Sequence, residues 1–239
     1  MEKLYIVIPA YNERENVRRV IEEWYPIVEK VGGDSRLVVV NDGSKDDTYE
    51  IMQECAKDKP RFIPLTKQNG GHGATVLHAY RYALDEGADY IFQTDSDGQT
   101  VPGEFWPFWE RRHDYDMVIG KRDSREDGLS RILVTKVLKL TLMACFGTVV
   151  VDANTPFRLM KADTLRENID LIPKDFNLSN VLVSVIYEKK KLRVKYLPIT
   201  FLQRQGGVNS INIGKIFAIG LQAVKDFWVI NKSLKGMEK

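Results

Sequence analysis

Over its first 120 residues the chain alternates between two hydrophobic patterns. LYIVIPA (4–10), RLVVVND (36–42), RFIPLT (61–66) and DYIFQTD (89–95) are near-continuous apolar runs of strand length. Between them lie NVRRVIEEWYPIVEKV (16–31), DDTYEIMQECAKD (46–58) and GATVLHAYRYALDEG (73–87), whose apolar residues recur at helical spacing. In the first of these, Val17, Val20, Ile21, Trp24 and Val28 share one side. Solid apolar strands separated by helices predict an α/β fold, with a mostly parallel sheet covered on both faces and right-handed crossovers. EFWPFWERRHDY (104–115) then reads as a helix and DMVIGK (116–121) as a further strand.

The second half is less regular. LSRILVTKVLKLTLMACF (129–146) and NLSNVLVSVIYEKKK (177–191) predict helices, and NTPFRLMKAD (154–163) a short strand entering a turn. LRVKYLPITFLQR (192–204) predicts a strand, and INIGKIFAIGLQAVKDFWVI (211–230) a C-terminal amphipathic helix. No repeat, low-complexity tract or linker divides the 239 residues, so a single domain is expected.

Composition narrows the function. A net charge of +2 carries no general polyanion-binding signature, so nucleic acid is not an expected partner. Cys55 and Cys145, 90 positions apart, lack metal-type spacing and read as two reduced core thiols of a cytosolic protein. The apolar run after Met1, Glu2 and Lys3 is too short for a signal-peptide core, which predicts a non-exported start. Residues 132–151 come nearest to a membrane span, but Lys136 and Lys139 interrupt them.

In an open parallel sheet, ligands sit beyond the carboxyl ends of the strands. The four loops there are PAYNERENV, NDGSKDDT, KQNGGHGAT and DSDGQT, all polar or glycine-rich. In the last, Asp95 and Asp97 stand two apart and can converge on one hard divalent cation; Gln99 adds a neutral oxygen, and Gly98 permits the tight path. The competing reading, a solvated Asp-Gly turn, does not explain the three companion loops. Capping accounts for Ser44 and Asp46 but not for the charge of Asp42, which suits hydrogen bonds from a base or ribose. Gly70, Gly71 and Gly73 precede a helix, where glycines can cradle phosphate, yet they form neither a P-loop nor a dinucleotide fingerprint. His72 is read as a surface-loop residue outside the chemistry.

Taken in order, these loops resemble the family 2 glycosyltransferases of GT-A fold, and among them the dolichyl/polyprenyl-phosphate sugar transferases. IPAYNERENV is similar to the family's IPxYNExxNI, VNDGSKDDT to VDDGSxDxT, NGGHGAT to NxGKGxA, and DSDGQTVPGE to DADGQxxPE. DANTPFRLMKAD and LRVKYLPITFLQRQGGVNS resemble later segments, so the likeness runs from about Leu4 to Ser210. It implies a single-domain, Rossmann-like GT-A fold, with residues 1–120 as the nucleotide-sugar half and 121–239 as the acceptor half. Pro9, Tyr11, Glu13 and Asp42 would line the base and ribose pocket. Asp95 would face the ribose and diphosphate, and Asp97 and Gln99, with Asp95, would hold Mg²⁺ or Mn²⁺.

The implied reaction is inverting transfer of a sugar from a UDP- or GDP-sugar to a polyprenyl phosphate. Arg122 and Arg125, in GKRDSREDGLSR, and Arg204 would meet the acceptor phosphate, since an arginine fork matches phosphate oxygens. Asp152 is expected to act as base or to position the acceptor, against a competing role as a turn cap. Relatives with hydroxyl acceptors often carry an acid near NLSNVLV; Asn177 and Asn180 stand there instead, which favours phosphate. Subfamily members often carry C-terminal transmembrane helices, and this chain reaches Lys239 without one. The expectation is therefore a cytoplasmic chain, peripheral on the inner face of the cell membrane, with a membrane partner protein. Two rivals remain: the same chemistry onto a saccharide hydroxyl, and a non-catalytic nucleotide-sugar-binding subunit.

Overall fold

The computed structural model describes residues 2–122, 140–148, 150–203, 226–227 and 231. Its strands are β1 (Leu4–Ala10), β2 (Arg36–Asn41), β3 (Phe62–Thr66), β4 (Tyr90–Gln93), β5 (Met117–Arg122), β6 (Arg158–Lys161) and β7 (Val194–Ile199). The helices named here are α1 (Val17–Val31), α2 (Thr48–Ala56), α3 (His72–Asp85), α4 (Phe105–Glu110), α5 (Ala162–Arg166) and α6 (Ser179–Lys189); residues 140–146 are also helical. The helix expected over 104–115 is shorter, a 3₁₀ turn at Pro102–Glu104 running into α4. The C-terminal helix expected over 211–230 lies almost wholly outside the described residues.

The strands form one sheet in the order β3-β2-β1-β4-β6-β5-β7. β1 to β4 are mutually parallel, β6 runs antiparallel to both β4 and β5, and β7 is parallel to β5. This is the expected single α/β domain. Proline falls in both edge strands, Pro64 in β3 and Pro198 in β7, where a missing N–H removes no internal ladder bond and discourages further pairing.

Alternation across the pleat explains the solid apolar runs. In β1, Tyr5 and Val7 enter a cluster that holds the buried faces of α3 and α6. Leu4, Ile6, Ile8 and Ala10 enter another with α1, α2 and α4. All seven β1 residues are buried, so neither face can be polar. The predicted apolar side of α1 is buried throughout, joined by Tyr25 and Ile27. Phe92 of β4 sits in an aromatic nest, its ring centroid 4.7 Å from Phe157, 5.1 Å from Phe105 and 5.3 Å from Trp24. Both cysteines are free and buried.

The topology gathers the polar segments on one edge. The carboxyl ends of β1 to β5 and β7 point the same way, and the antiparallel β6 brings its amino end there, with Arg158 opposite Gln93. Phe92 anchors the strand that carries the acidic loop. Phe92→Ala is expected to destabilise the chain by about 3–5 kcal/mol through cavity formation, measured as a lower urea midpoint with an unchanged slope.

Candidate active site

The first two loops are knitted together. The Asn12 amide donates to Ser44 Oγ at 2.9 Å and the Lys45 amide to Asn12 Oδ1 at 2.8 Å, with Asn12 at φ +53°. Pro9 is buried in β1, while Tyr11 is 41% exposed at the rim. Glu13 is buried; its Oε2 accepts from Asn16 Nδ2 at 2.8 Å and its carbonyl accepts from the amides of Asn16 and Val17 at the start of α1.

Asp42 has an unforeseen set of partners. Its Oδ1 accepts from Lys67 Nζ at 2.6 Å and the Gly70 amide at 2.9 Å, and its Oδ2 from the Gly71 amide at 2.8 Å. Burial alone would raise this carboxyl, but the Lys67 ammonium and the Gly70 amide outweigh it and hold it below the ordinary carboxylate range. The glycine loop thus directs two of its amides at Asp42 rather than at a phosphate. Gly73 packs so tightly on the carbonyls of Phe176 and Asn177 that a Cβ would lie 2.1 Å from the former.

The acidic loop follows β4. Asp97 Oδ1 accepts from the Gln99 amide at 3.1 Å, closing a turn in which Gly98 takes φ +70°. Gln99 is drawn toward the segment after β7: its Nε2 donates to the Leu202 carbonyl and its carbonyl accepts from the Leu202 amide, both at 2.8 Å. Thr100 bridges to Phe201, and Thr94 Oγ1 lies 2.7 Å from Thr100 Oγ1.

His72, set aside on sequence grounds, sits at this loop, its Nε2 3.1 Å from Asp95 Oδ1. Loss of solvation opposes its charge, but the carboxylates of Asp95, Asp97 and Asp42 outweigh that and raise its pKa above the ordinary histidine value. The signal available in the sequence was its place in NGGHGAT, where the family pattern carries a cationic lysine.

No cluster of three or more histidine, cysteine or acidic side chains forms a metal cage among the described residues. A magnesium-type ion takes one or two carboxylates and completes its shell with water and substrate phosphate oxygens; Asp95 and Asp97, with Gln99 beside them, are the residues of this loop that could hold one.

On the other side of the edge, Arg122 closes β5. Its Nε and Nη2 donate to Asp152 Oδ2 and Oδ1 at 2.9 and 2.8 Å, and its guanidinium carbon lies 5.2 Å from the Phe201 ring centroid. Two residues expected to act separately are thus a bidentate pair, and both are largely buried. Beneath them Arg158, fully buried, donates to the carbonyls of Ala153, Thr155 and Asn180. Burial lowers its pKa. Gln93 Nε2, Thr155 Oγ1 and Asn180 Oδ1 are buried with no hydrogen-bond partner. Arg125 and Arg204 lie outside the described residues.

Residues 5–169, with the strand-end loops just described, match the profile of the glycosyl transferase family 2 domain. The chain belongs to glycosyl transferase family 2. One relative, the undecaprenyl-phosphate mannosyltransferase of Micrococcus luteus, is 27% identical over 222 residues, covering 89% of this chain and 88% of the relative. Another, the undecaprenyl-phosphate 4-deoxy-4-formamido-L-arabinose transferase of Pectobacterium atrosepticum, is 28% identical over 155 residues, 64% of this chain and 46% of the relative. The chain therefore spans less than half the length of that second relative.

Solved structures share the architecture. Glucosyl-3-phosphoglycerate synthase from Mycobacterium tuberculosis, crystallised with Mn²⁺ and UDP-glucose, superposes with a TM-score of 0.66 at 16% identity, over 97% of this chain and 79% of that one. S. aureus TarS 1–349 gives 0.55 at 17% identity, over 84% and 60%. These likenesses establish the GT-A fold of this family 2 chain.

The depressed pKa of Asp42 fixes the sign of a pH effect. A carboxylate stabilised by the fold contributes above its unfolded pKa and loses that contribution as pH falls through the folded value. Asp42→Asn is expected to lower stability at pH 7 by about 3–5 kcal/mol. The gap to wild type should close as pH drops below about 4, which paired thermal melts across acidic pH would measure.

Proposed function

We propose that this chain is an inverting, metal-dependent transferase that moves a sugar from a UDP- or GDP-sugar to a polyprenyl phosphate. In this reading residues 1–120 bind the donor and residues 121–239 the acceptor. The observation that carries it is the shared edge: the Asp95–Asp97 loop and the Arg122–Asp152 pair are held to one short segment, through Leu202 and Phe201.

Asp95, Asp97 and Gln99 would hold Mg²⁺ or Mn²⁺. Bound there, the cation would supply charge neutralisation for the departing nucleoside diphosphate. Pro9, Tyr11, Glu13 and Asp42 border the donor side, Asp42 by fixing the glycine loop. The acceptor's phosphate oxygen would attack the anomeric carbon as that carbon's bond to the diphosphate breaks. An acceptor phosphate is already anionic, so no proton has to leave it.

Asp152 then needs to be no base. It takes the Nε–Nη2 edge of Arg122, which leaves the Nη1 corner to meet a phosphate. Arg125 and Arg204 are assigned to the same phosphate from the sequence. Leu140, Met143, Val151 and Leu202 are exposed apolar residues of the acceptor half, suited to a lipid-bearing acceptor at a membrane surface. No helix of the described residues is long and apolar enough to cross a membrane; the proposal includes peripheral membrane contact and a membrane partner protein. The undecaprenyl-phosphate names of the relatives support the choice of acceptor.

Transfer of radiolabelled sugar into butanol-extractable lipid tests this. Product should form with Mn²⁺ or Mg²⁺, vanish with EDTA, and fall on the order of 10²–10³-fold in Asp97→Asn. Failure to label lipid from any UDP- or GDP-sugar would contradict the acceptor assignment, and an active Asp97→Asn would contradict the metal role. Asp152→Asn separates positioning from base chemistry. Positioning predicts a raised acceptor KM with the pH–rate profile unchanged, whereas a base would lower kcat and remove a limb of that profile.

A further inference from the structure

Gly98 is surrounded in a way its turn alone does not require. A Cβ built on it would lie 2.1 Å from Arg19 Nη2 and 3.1 Å from Arg19 Cζ. The tip of a guanidinium from α1 thus fills the space where any other residue would carry its side chain. Arg19 Nη2 also lies 3.4 Å from Asn16 Oδ1, and Asn16 Nδ2 donates to Glu13 Oε2 at 2.8 Å. Glu13 and Asn16 lie in the turn that leads into α1, and Arg19 lies in the first turn of α1. They form a polar line from the first loop to the acidic loop. The helix that carries Arg19 is packed into the core through Val17, Val20, Ile21 and Trp24, all buried.

We propose that Arg19 is a positioning residue for the divalent-cation loop: anchored on α1, its guanidinium holds the Asp97–Gly98–Gln99 turn in the form that ligates the metal. The proposal rests on the reading of Asp95, Asp97 and Gln99 as the cation's ligands. Two physical effects of Arg19 oppose each other. A positive charge beside a cation site repels the cation, whereas a group that orders the ligand loop before binding lowers the entropy lost on binding. The geometry favours order, because the guanidinium touches the backbone of the turn while also reaching Asn16. A lysine would keep the charge but present one compact ammonium in place of a planar fork.

The sign of the effect on metal affinity decides between them. Mn²⁺ binding to the full chain is measured from the free-ion electron paramagnetic resonance signal, with saturating UDP and in parallel GDP. Wild type is compared with Arg19→Lys and Arg19→Gln. Both are expected to weaken Mn²⁺ binding roughly tenfold or more while keeping the wild-type melting temperature and metal-free nucleotide affinity. Wild-type or tighter Mn²⁺ binding by Arg19→Gln would overturn the proposal by making Arg19 a bystander or a repulsive charge. Full affinity in Arg19→Lys would overturn it by showing that charge alone suffices. Wild-type chain that binds no Mn²⁺ with either nucleotide would overturn the reading of the acidic loop and this proposal with it, so the two failures are told apart.

Discussion

Two carboxylates on one short turn, at the edge where six strands end, are the constraint around which this structure is organised. Asp95 and Asp97, half-buried at the end of a core strand, repel each other, and that repulsion is costly unless positive charge or hydrogen-bond donors surround it. The chain surrounds it: His72 reaches Asp95 from the start of α3, the Gln99 amide closes on Asp97, and Arg19 lies against Gly98 from α1. His72 and Arg19 come from different helices, so the loop is held from two sides before any ligand arrives. Preorganisation of this kind gives electrostatic groups their leverage, because no reorganisation is needed when charge develops.

The same loop joins the two halves of the chain. Gln99 and Thr100 pair with Phe201 and Leu202 beyond β7, and the Phe201 ring lies under the Arg122 guanidinium, which Asp152 holds by two bonds. Contacts therefore run without a break from the acidic pair to the arginine across the sheet edge. The insertion of antiparallel β6 makes this possible, since it places the 152–157 segment beside the end of β4. Arg158, fully buried, fixes the Ala153 and Thr155 carbonyls of that segment and ties it to the Asn180 carbonyl of α6, in place of the backbone ladder such an irregular stretch lacks.

Much of this was legible in the residues. The solid apolar runs announced a sheet covered on both faces, and the helical side of α1 was named residue by residue. The acidic loop declared itself through its position after an apolar strand. Other features depend on partners distant in the chain. Asp42 and the Gly70–Gly71 amides are 28 and 29 positions apart, and Arg122 and Asp152 are 30 apart, so neither pairing has a local signature. His72 reads locally as a surface-loop residue, and nothing local singles out Arg19; only the folding of α3 and α1 on the two faces of the sheet brings both to the acidic loop. The direction of β6 was equally hidden, because nothing in the four residues Arg158–Lys161 marks which way the strand runs.

The central claim is that the acidic pair grips a divalent cation against a nucleotide diphosphate. Crystals of the full chain soaked with Mn²⁺ and a UDP- or GDP-sugar, measured at the manganese absorption edge, test it most directly. The account predicts an anomalous peak at the carboxylates of Asp95 and Asp97, with the diphosphate on its far side. Bound nucleotide-sugar with no anomalous peak there, or a manganese peak away from both aspartates, would contradict it.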